Sequence, residues 1–509
     1  MRRTVAAVAV LALAVPWVSP AGETPCAWPM FGRDPGRSFS QPQSCTTVSP
    51  TNVFSLLPAW GVLTSDNITA SPTIVDGVLY VGSWDGTFYA IDAATGTTLW
   101  SFLIDDTNRV AFGRIVSTAA VDTIRVPGGG KVDVVLFGGG GTLYALAPGR
   151  TGPKVLAKIN VDPREEALRE EQAGDPPQIE IESSPVVGHF HSVDRILVGM
   201  DVHNRSGVGR TGLLAFRLRK SKVGSALPFE FELLYKHDPE TATVLHSLTE
   251  GSGEGWGCGG VWSSPALDVT ALRGHGIAVF GTSNCDNPDE SAAAGETGEI
   301  GREAMIAIDA TTGEQLWRFQ PRPPNDVDDD FGSTPNMLPG GAVGLGGKDG
   351  WYYARDLVTG AERWSVRAGQ HGRINTGFAV GGFIGVPAVG LGVVDPVSGA
   401  KRDLIFGATA LPTPCAEPID SGGIPIDTTL LGDPGRLFSV HAIDAATGEI
   451  VWRSPLAAPA YGHTTYANGV VFSSVTFGSR LQAFDAATGL PLWIMPTFGA
   501  PSSTPVPLG

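Results

Sequence analysis

The residues best suited to chemistry are acidic side chains in one short segment. Four aspartates stand within five residues of WRFQPRPPNDVDDDFGSTP (317–335): Asp326, Asp328, Asp329 and Asp330. Upstream, GTSNCDNPDE (281–290) places an Asn–Cys pair among acidic neighbours. Carboxylate and amide oxygens are ligands of hard cations, and a carboxylate can also take a proton from a substrate. A solvated acidic loop has the same composition, so the fold decides whether these residues form a site.

The stretch between these two segments is a structural repeat. The pattern A-x-D-x-x-T-G-x-x-x-W occurs five times, at 90–100, 307–317, 354–364, 442–452 and 483–493. We interpret it as a β-hairpin in which Asp caps the turn, Gly supplies a position with φ > 0, and Trp packs under the next unit. The Asp, Gly and Trp of the repeats are therefore predicted to be structural.

A second repeated element precedes each hairpin and predicts the fold. It is a Ser-rich or Pro-containing strand start, found at 71–75, 117–121, 183–187, 263–267, 333–337, 385–389 and 463–467. With the hairpin it gives about four short strands per unit, as in a propeller blade. We predict an all-β fold, a single β-propeller. Residues 52–60 and 502–508 are expected to form a split eighth blade that closes the ring. These two pieces supply few strands, so an incomplete closing blade or a seven-bladed ring is the alternative.

Composition excludes some partners. The chain has 67 Gly, 39 Pro and only 35 Lys plus Arg, with a formal net charge of −16 and no basic block. Many short strands joined by tight turns fit this composition. Nucleic acid and anionic membrane surfaces are poor partners for such a surface.

The N-terminus has the pattern of a secretory leader. Arg2 and Arg3 precede an apolar run that is too short to span a bilayer, and small residues lead to a plausible cleavage point near Ala21. We therefore expect a leader at 1–21, a propeller at 22–509, and a secreted or periplasmic protein without an integral membrane segment after cleavage.

Export allows disulfide bonds. A Cys26–Cys45 bond would staple the N-terminal arm, and Cys258–Cys285 would bridge neighbouring strands, which leaves Cys415 over. Sequence alone proves neither pair. No CxxC or CxxCH motif occurs, so covalent haem is not expected.

The T-G-x-x-x-W hairpins resemble those of the pyrroloquinoline quinone (PQQ) repeat superfamily. Its members include quinoprotein alcohol dehydrogenases, polyvinyl-alcohol dehydrogenases and non-enzymatic scaffold propellers. The opening WPMFGRDPGRSFSQPQSCTTVSPTNVFSLLPAW (28–60) is similar to the start of the dehydrogenase branch, where W-x-x-x-G-x-D leads to N-V-x-x-L-x-x-A-W. The resemblance covers nearly all of the predicted mature chain.

The resemblance implies residues for the cofactor. GGVWSSPALD (259–268) looks like the strand whose Trp ring stacks under PQQ, here Trp262. GGKDGWYYARDLVTG (346–360) is similar to the strand that brings a basic residue to the quinone oxygens, here Lys348. DTNRVAFG (106–113) resembles the segment whose Arg pairs with a cofactor carboxylate, here Arg109. A flat aromatic floor and cations suit a planar ring that carries three carboxylates.

The resemblance also implies a metal site and a base. GTSN (281–284) looks like the strand end whose Asn binds a Ca²⁺-type ion, here Asn284. The acidic segment is similar to the one that delivers the catalytic carboxylate, which makes Asp328 the base and a metal ligand, and Asp330 a second acidic ligand. In this reading Asp328 takes the proton of an alcohol while hydride passes to the quinone.

The chain departs from the family pattern at two places. Asp105-Asp106-Thr107 stand where the family has adjacent cysteines. The family's metal-binding Glu would fall near Gly207, where no Glu occurs, and Asp201, Asn204 and Glu182 are the candidates to replace it.

Two functions fit the sequence. The first is an exported, PQQ- and Ca²⁺-dependent dehydrogenase of small-molecule or polymeric alcohols that passes electrons to a separate acceptor. The second is a non-catalytic propeller that binds a protein or a glycan. If Arg109, Trp262, Asn284, Lys348 and Asp328 converge on one end of the ring, the enzyme is favoured.

Overall fold

The computed structural model describes residues 9–14, 26–107, 110, 112–128, 130–161, 178–191, 193–203, 211–248, 259–283, 301–322, 330–369, 382–409, 439–497 and 499–507. Three strands precede the propeller sheets: β1 (Ala9–Ala14), β2 (Ser40–Gln41) and β3 (Leu57–Leu63). Helical structure in the described residues is confined to single turns at Gln43–Cys45, Val53–Ser55, Ala271–Gly274 and Thr476–Gly478. The prediction of an all-β chain is confirmed.

The remaining strands form seven sheets, which we number as blades 1 to 7. Blade 1 contains β4 (Thr73–Val75), β5 (Val78–Gly82), β6 (Thr87–Asp92) and β7 (Thr98–Leu103). Blade 2 contains β8 (Ala120–Val126), β9 (Gly130–Gly139), β10 (Thr142–Leu146) and β11 (Val155–Asn160). Blade 3 contains β12 (Gln178–Glu180), β13 (Val186–His189), β14 (Asp194–His203), β15 (Gly212–Lys220), β16 (Phe229–Asp238) and β17 (Thr243–Leu245).

Blade 4 contains β18 (Ala266–Asp268), β19 (Ile277–Gly281), β20 (Met305–Asp309) and β21 (Gln315–Phe319). Blade 5 contains β22 (Asn336–Leu338), β23 (Ala342–Gly346), β24 (Trp351–Asp356) and β25 (Glu362–Arg367). Blade 6 contains β26 (Ala388–Val394), β27 (Lys401–Thr409), β28 (Ser439–Asp444) and β29 (Ile450–Pro455). Blade 7 contains β30 (Thr464–Ala467), β31 (Val470–Val475), β32 (Arg480–Asp485) and β33 (Pro491–Pro496), with β2 parallel to β30.

The repeated hairpins join one blade to the next, as predicted. In blade 4 the indole N–H of Trp317 donates to the Leu357 carbonyl of blade 5 at 2.9 Å. Gly360 has φ +71°, and a Cβ there would lie 2.7 Å from the Trp317 ring, so only glycine fits this turn. The same indole-to-carbonyl bond links Trp100 to Gly149, Trp364 to Ala445 and Trp452 to Ala486.

The Ser-rich strand starts form a chain of hydrogen bonds around the ring. The N–H of Ser71 donates to the Thr118 hydroxyl at 2.8 Å, and the N–H of Thr118 donates to the Ser184 hydroxyl at 3.0 Å. Ser184 and Ser264 continue the series, ending at Thr334. The hydroxyls at these positions therefore satisfy backbone donors of the neighbouring blade.

The closing blade differs from the preferred prediction. The two predicted pieces do meet between blades 7 and 1. Trp493 donates to the Leu56 carbonyl, Trp60 donates to the Ala93 carbonyl, and the N–H of Thr504 donates to the Ser71 hydroxyl at 3.0 Å. However, the described residues 499–507 form no strand, and β3 pairs with β1 alone. The described residues thus form seven full blades, which is the blade number of the alternative prediction. The pair of β1 and β3 stands where an eighth blade would lie.

Residues 28–41, here called the channel segment, run along the inside of the ring. Backbone bonds join this segment to the first strand of six blades, through Ile74, Val121, Leu267, Met337, Val389 and Tyr466. Blade 3 is reached by the side chain of Arg37, which donates to the Ser184 carbonyl at 3.1 Å. The predicted Cys26–Cys45 disulfide is confirmed and closes a loop around this segment. Cys258, Cys285 and Cys415 lie outside the described residues.

Arg37 is the centre of the channel segment. Its side chain is fully buried, and it also donates to the Pro265 carbonyl at 2.8 Å and to the Phe31 carbonyl at 2.5 Å. Burial lowers the pKa of Arg37 to about 9, which leaves the guanidinium protonated at neutral pH. The segment therefore ties all seven blades together through one buried cation and a series of backbone bonds.

Candidate functional site

The predicted site residues that the structure describes lie at one end of the ring, which we call the site end. In a propeller the first strand of every blade begins at the same end, where the second strand finishes. Trp262 precedes β18, Asp330 precedes β22, and Lys348 follows β23. Three different connections therefore converge at the site end. Arg109, Asn284 and Asp328 lie outside the described residues, so their positions stay predictions.

Trp262, Asp330 and Lys348 form a contact group. The indole N–H of Trp262 donates to Asp330 Oδ2 at 3.0 Å, and Lys348 Nζ is 2.6 Å from Asp330 Oδ1. Lys348 Nζ also lies 5.6 Å from the centroid of the Trp262 ring, within range of a cation–π contact. Asp330 is 3% and Lys348 9% exposed, and Trp262 is partly buried. The group presents an aromatic face with a cation beside it.

Asp330 holds the other two side chains in place. Its backbone carbonyl accepts from the Lys348 N–H at 3.2 Å, so the two segments are joined by main chain as well as by side chain. Both carboxylate oxygens have protein partners. The expected role of Asp330 as a metal ligand stays a prediction, and the structure adds a positioning role that sequence reasoning missed.

A second group of charges supports these segments. Arg322 pairs with Asp349 at 2.6 Å and lies 3.7 Å from Glu303, and the Tyr353 hydroxyl donates to Asp349 at 2.6 Å. Burial and the nearby Asp349 carboxylate raise the pKa of Tyr353. These bonds connect Arg322 to the turn that carries Lys348. No local pattern in the sequence signals this network.

The chain matches the family profile described as "Glucose/ethanol/alcohol dehydrogenase, beta-propeller domain" over residues 28–368. That range holds more than half of the chain and all six predicted site residues. The chain belongs to this dehydrogenase propeller family. A second profile, described as "Outer membrane protein assembly factor BamB", matches residues 421–505.

Individual relatives of this dehydrogenase propeller are distant. Lupanine 17-hydroxylase [cytochrome c] from a Pseudomonas species is 24% identical over 493 residues, which cover 88% of this chain and 66% of the relative. Polyvinylalcohol dehydrogenase from a Pseudomonas species is 23% identical, covering 94% and 69%. The dehydrogenase subunit of the quinone alcohol dehydrogenase from Acetobacter aceti is 24% identical, covering 60% and 40%. The chain thus spans about two thirds, or less, of these relatives.

Solved structures agree on the fold. Quinohemoprotein alcohol dehydrogenase from Comamonas testosteroni superimposes with a TM-score of 0.62 at 17% identity, covering 95% of this chain and 75% of that one. A europium-containing methanol dehydrogenase gives a TM-score of 0.60 at 16% identity, covering 95% and 88%.

The chain carries two aspartates where the family pattern has a pair of adjacent cysteines. Tyr144 donates its hydroxyl proton to Asp105 at 2.9 Å, and Asp105 also pairs with Lys158, which lowers the pKa of Asp105. Thr142 donates to Asp106 at 2.5 Å. The two carboxylates therefore anchor the segment that leads to Arg109 by polar contacts to blade 2.

Asp201 is the most suitable of the candidates for the missing metal carboxylate. It is 2% exposed, and a Cβ built on Gly260 would lie 1.7 Å from its Oδ1 and 2.7 Å from the Ser283 hydroxyl. The carboxylate therefore lies against the strand end that immediately precedes Asn284. Within the described residues, no three His, Cys, Asp or Glu side chains are grouped to hold a metal.

The imidazole of His463 packs against the channel segment. Its ring lies 5.0 Å from Phe31 and 5.6 Å from Phe39, and Nδ1 accepts from the Val386 N–H at 2.9 Å. Burial lowers its pKa to about 3, so the ring is neutral at physiological pH. These contacts assign it a structural role.

Proposed function

We propose that this chain is an exported quinoprotein-type alcohol dehydrogenase that oxidises an alcohol by hydride transfer to PQQ with the help of a Ca²⁺-type ion. The observation that carries the proposal is the group of Trp262, Asp330 and Lys348 at the site end of a dehydrogenase-family propeller. The names of the relatives, which include quinone and polyvinylalcohol dehydrogenases, support the same chemistry.

The described residues suit a planar polyanion. Trp262 offers a flat face on which a fused aromatic ring can stack, and Lys348 holds a cation beside that face. Arg109 is proposed as a second cation for the cofactor carboxylates. PQQ, when bound, supplies the two-electron acceptor that no protein side chain provides.

The proposed metal ligands are hard oxygen donors. Asn284 and Asp328 are carried over from the family pattern, with Asp330 as the further acidic position, and we add Asp201 in place of the absent Glu. Amide and carboxylate oxygens are the ligands that Ca²⁺ prefers. Asp201 fits because its buried carboxylate lies against the strand end that leads to Asn284.

Asp328 is the proposed base. Its carboxylate takes the hydroxyl proton of the alcohol while the hydride leaves the carbinol carbon, and two electrons then pass to a separate acceptor. Asp330 keeps the side chains of Trp262 and Lys348 in position during this step. Secondary or polymeric alcohols are the proposed substrates, and the predicted leader supports secretion or transfer to the periplasm. In the described part of the chain no helix is long and apolar enough to cross a bilayer.

Dye reduction by the reconstituted protein tests this proposal. After loading with PQQ and Ca²⁺, the protein is expected to reduce an artificial electron acceptor when given primary, secondary or polymeric alcohols. Asp328→Asn should remove at least about 99% of the turnover, because general-base catalysis contributes roughly 10²–10⁴-fold. Asp329→Asn is the matched control and should retain it. An absence of turnover across the alcohol panel would refute the enzyme proposal.

The second candidate is a non-catalytic propeller that binds a protein or glycan. The match of 421–505 to the assembly-factor profile and the two departures from the family pattern support it. In that case Asp328→Asn leaves the cellular role intact, whereas the enzyme proposal expects that role to be lost.

A further inference from the structure

The end of the ring opposite the site end, here called the far end, has an uneven distribution of charge. The first and third strands of a blade finish there, so the turns that follow these strands lie at the far end. In five blades the third strand finishes at an aspartate, namely Asp92, Asp309, Asp356, Asp444 and Asp485. The corresponding turns of blades 2 and 3 lack this aspartate. They carry Arg150 with Lys154, and Lys220 with Lys222.

Lysines concentrate in the same two blades. The chain contains eight lysines, of which six belong to blades 2 and 3, namely Lys131, Lys154, Lys158, Lys220, Lys222 and Lys236. Four of these are exposed at the far end and form no ion pair within the described residues: Lys131, Lys154, Lys220 and Lys222. The nearby Arg217 and Arg219 are not counted, because glutamates of β16 pair with them. An acidic chain thus carries one group of exposed cations, which we call the lysine patch.

The lysine patch includes a cleft. This cleft has a volume of about 620 Å³ and lies between the first hairpins of blades 2 and 3. Arg125 and Lys131 line it from blade 2, and His189 and His191 line it from blade 3, with Asp122 as the acidic lining residue. A hydrogen bond to Asp122 raises the pKa of His189 to about 9, so this ring is protonated at neutral pH.

A buried carboxylate fixes the positions of two cleft cations. Asp194 is 1% exposed and accepts from the backbone N–H of Arg125 at 2.6 Å and from its Nε at 2.9 Å. The Nδ1 atom of His189 lies 3.2 Å from the same carboxylate. Blades 2 and 3 are therefore joined at the cleft. Arg125 and His189 share the charges of Asp194 and Asp122, whereas Lys131 has no ion-pair partner in the described part of the chain.

The arrangement of charge favours a narrow polyanion over a flat surface or a folded protein. A planar anionic membrane at the far end would meet the aspartates of five blades as well as the lysines, and like charges repel. A protein partner normally needs an apolar contact core. Val223 is the one large apolar side chain that is well exposed in the described parts of blades 2 and 3. A linear chain of carboxylates can follow the lysines and avoid the acidic turns.

We propose that the lysine patch binds an acidic polysaccharide, whose carboxylates pair with Lys131 in the cleft and with Lys154, Lys220 and Lys222 on the turns. Each exposed pair contributes little, and affinity arises because one polymer makes several such contacts. The acidic turns of the other five blades confine the polymer to one side of the ring. The patch lies at the end opposite the proposed cofactor site, so both sites can be occupied at once.

Fluorescence anisotropy of labelled polygalacturonate tests the proposal. The full chain without PQQ should bind this carboxylated polymer and should not bind dextran, which is neutral. Added salt should weaken the binding, because exposed ion pairs are screened. Since PQQ is absent from the assay, the outcome does not depend on whether the chain is a dehydrogenase.

Lysine variants locate the contact. Lys220→Gln with Lys222→Gln removes two charges from the turn of blade 3 and should weaken polygalacturonate binding roughly 3–10-fold. Adding Lys131→Gln and Lys154→Gln should bring the loss above about tenfold. All four side chains are exposed, so the fold should be retained, which thermal unfolding checks.

Arg273→Gln with Lys401→Gln is the matched control. It removes two exposed cations from the far ends of blades 4 and 6 and should change the affinity less than about twofold. An absence of polygalacturonate binding, or a control that weakens binding as much as the lysine pair of blade 3, would overturn the proposal. Tighter binding of polyglutamate or of phosphatidylglycerol vesicles than of polygalacturonate would also overturn it, since the patch would then serve an acidic protein or a membrane.

Discussion

Arg37 and Lys348 are both buried cations, and their partners differ in kind. Arg37 donates to the backbone carbonyls of Phe31, Ser184 and Pro265, which belong to the channel segment and to blades 3 and 4. Among the described residues, Lys348 pairs with the carboxylate of Asp330, beside the face of Trp262. Burial of a charge alone therefore does not mark a functional site. The kind of partner distinguishes the two.

The difference has a physical consequence. Backbone carbonyls cannot be exchanged without displacing the backbone segments that carry them, so Arg37 contributes to stability. A carboxylate partner can be replaced by a carboxylate of a ligand, so Lys348 can change partners while the fold stays intact. Substitutions in the channel segment are therefore expected to lower the free energy of unfolding. Substitutions at the site end are expected to weaken the binding of PQQ.

The largest effect is expected for Arg37→Met. The variant loses at least three hydrogen bonds to buried carbonyls, so the free energy of unfolding should fall by about 3–5 kcal/mol. Arg33→Met, which removes a bond to Gln41 at 2.8 Å near the same segment, should cost less than half as much. Denaturant unfolding measures both. If Arg37→Met were as stable as the Arg33→Met control, Arg37 would not have the stabilising role that separates it from Lys348.

Loss of the Cys26–Cys45 disulfide should come next. The bond joins residues 19 apart around the channel segment, and closure of such a loop stabilises by about 2–4 kcal/mol. The double variant Cys26→Ser with Cys45→Ser should therefore unfold at lower denaturant concentration, and a reductant should shift the unmodified protein in the same direction. Equal midpoints with and without the bond would show that the channel segment is held by its other contacts alone.

Lys348→Met should weaken PQQ binding by roughly 10–100-fold, which corresponds to about 1.4–2.8 kcal/mol, because the site loses its described cation. Lys348→Met alone should also lower stability, because the buried carboxylate of Asp330 loses its lysine partner. The double variant Lys348→Met with Asp330→Asn removes that buried negative charge and should recover stability without recovering affinity. Fluorescence titration and thermal unfolding separate the two effects. If the double variant regained PQQ affinity together with stability, Lys348 would affect binding only by stabilising the fold, as Arg37 does.

The smallest effect on stability is expected for His189, which is a half-exposed cation when protonated. A hydrogen bond to Asp122, with a further contribution from Asp194, raises its pKa to about 9. The resulting stability is fully present below the unfolded pKa of about 6.5 and is lost as pH rises through 9. After allowance for solvent screening it amounts to about 1 kcal/mol. Unfolding at pH 7 and pH 10 should show this loss in the native protein and not in His189→Asn.

The sequence predicts the blades well because their contacts are local and repeated. Asp, Gly and Trp recur at fixed spacing, and four of the five repeat Trp reach the turn of the next blade, as Trp317 does at Gly360. The blade count was harder, since the closing pieces come from both ends of the chain. The path of the channel segment was not predictable. Its bonds reach strands across the whole chain, and Arg37 and Phe39 adopt positive φ without a glycine to signal it.

The site was predictable only through the family resemblance. Trp262, Lys348 and Asp330 come from three separate connections, and nothing in their spacing shows that they meet. Asp201 stays one of three predicted candidates for the missing carboxylate, and its position against Gly260 is the structural support for it. The pairing of Lys348 with Asp330 depends on tertiary geometry, which a pattern of residue types does not contain.

Equilibrium titration of the protein with PQQ, with and without Ca²⁺ and followed by tryptophan fluorescence, tests the central claim most directly. Stacking of a quinone on Trp262 should quench the emission, saturate at one PQQ per chain and require Ca²⁺, and Trp262→Leu should lose most of the quenching. Fluorescence that stays unchanged up to high PQQ concentration in the presence of Ca²⁺, or quenching that is unaltered in Trp262→Leu, would contradict the assignment of this site.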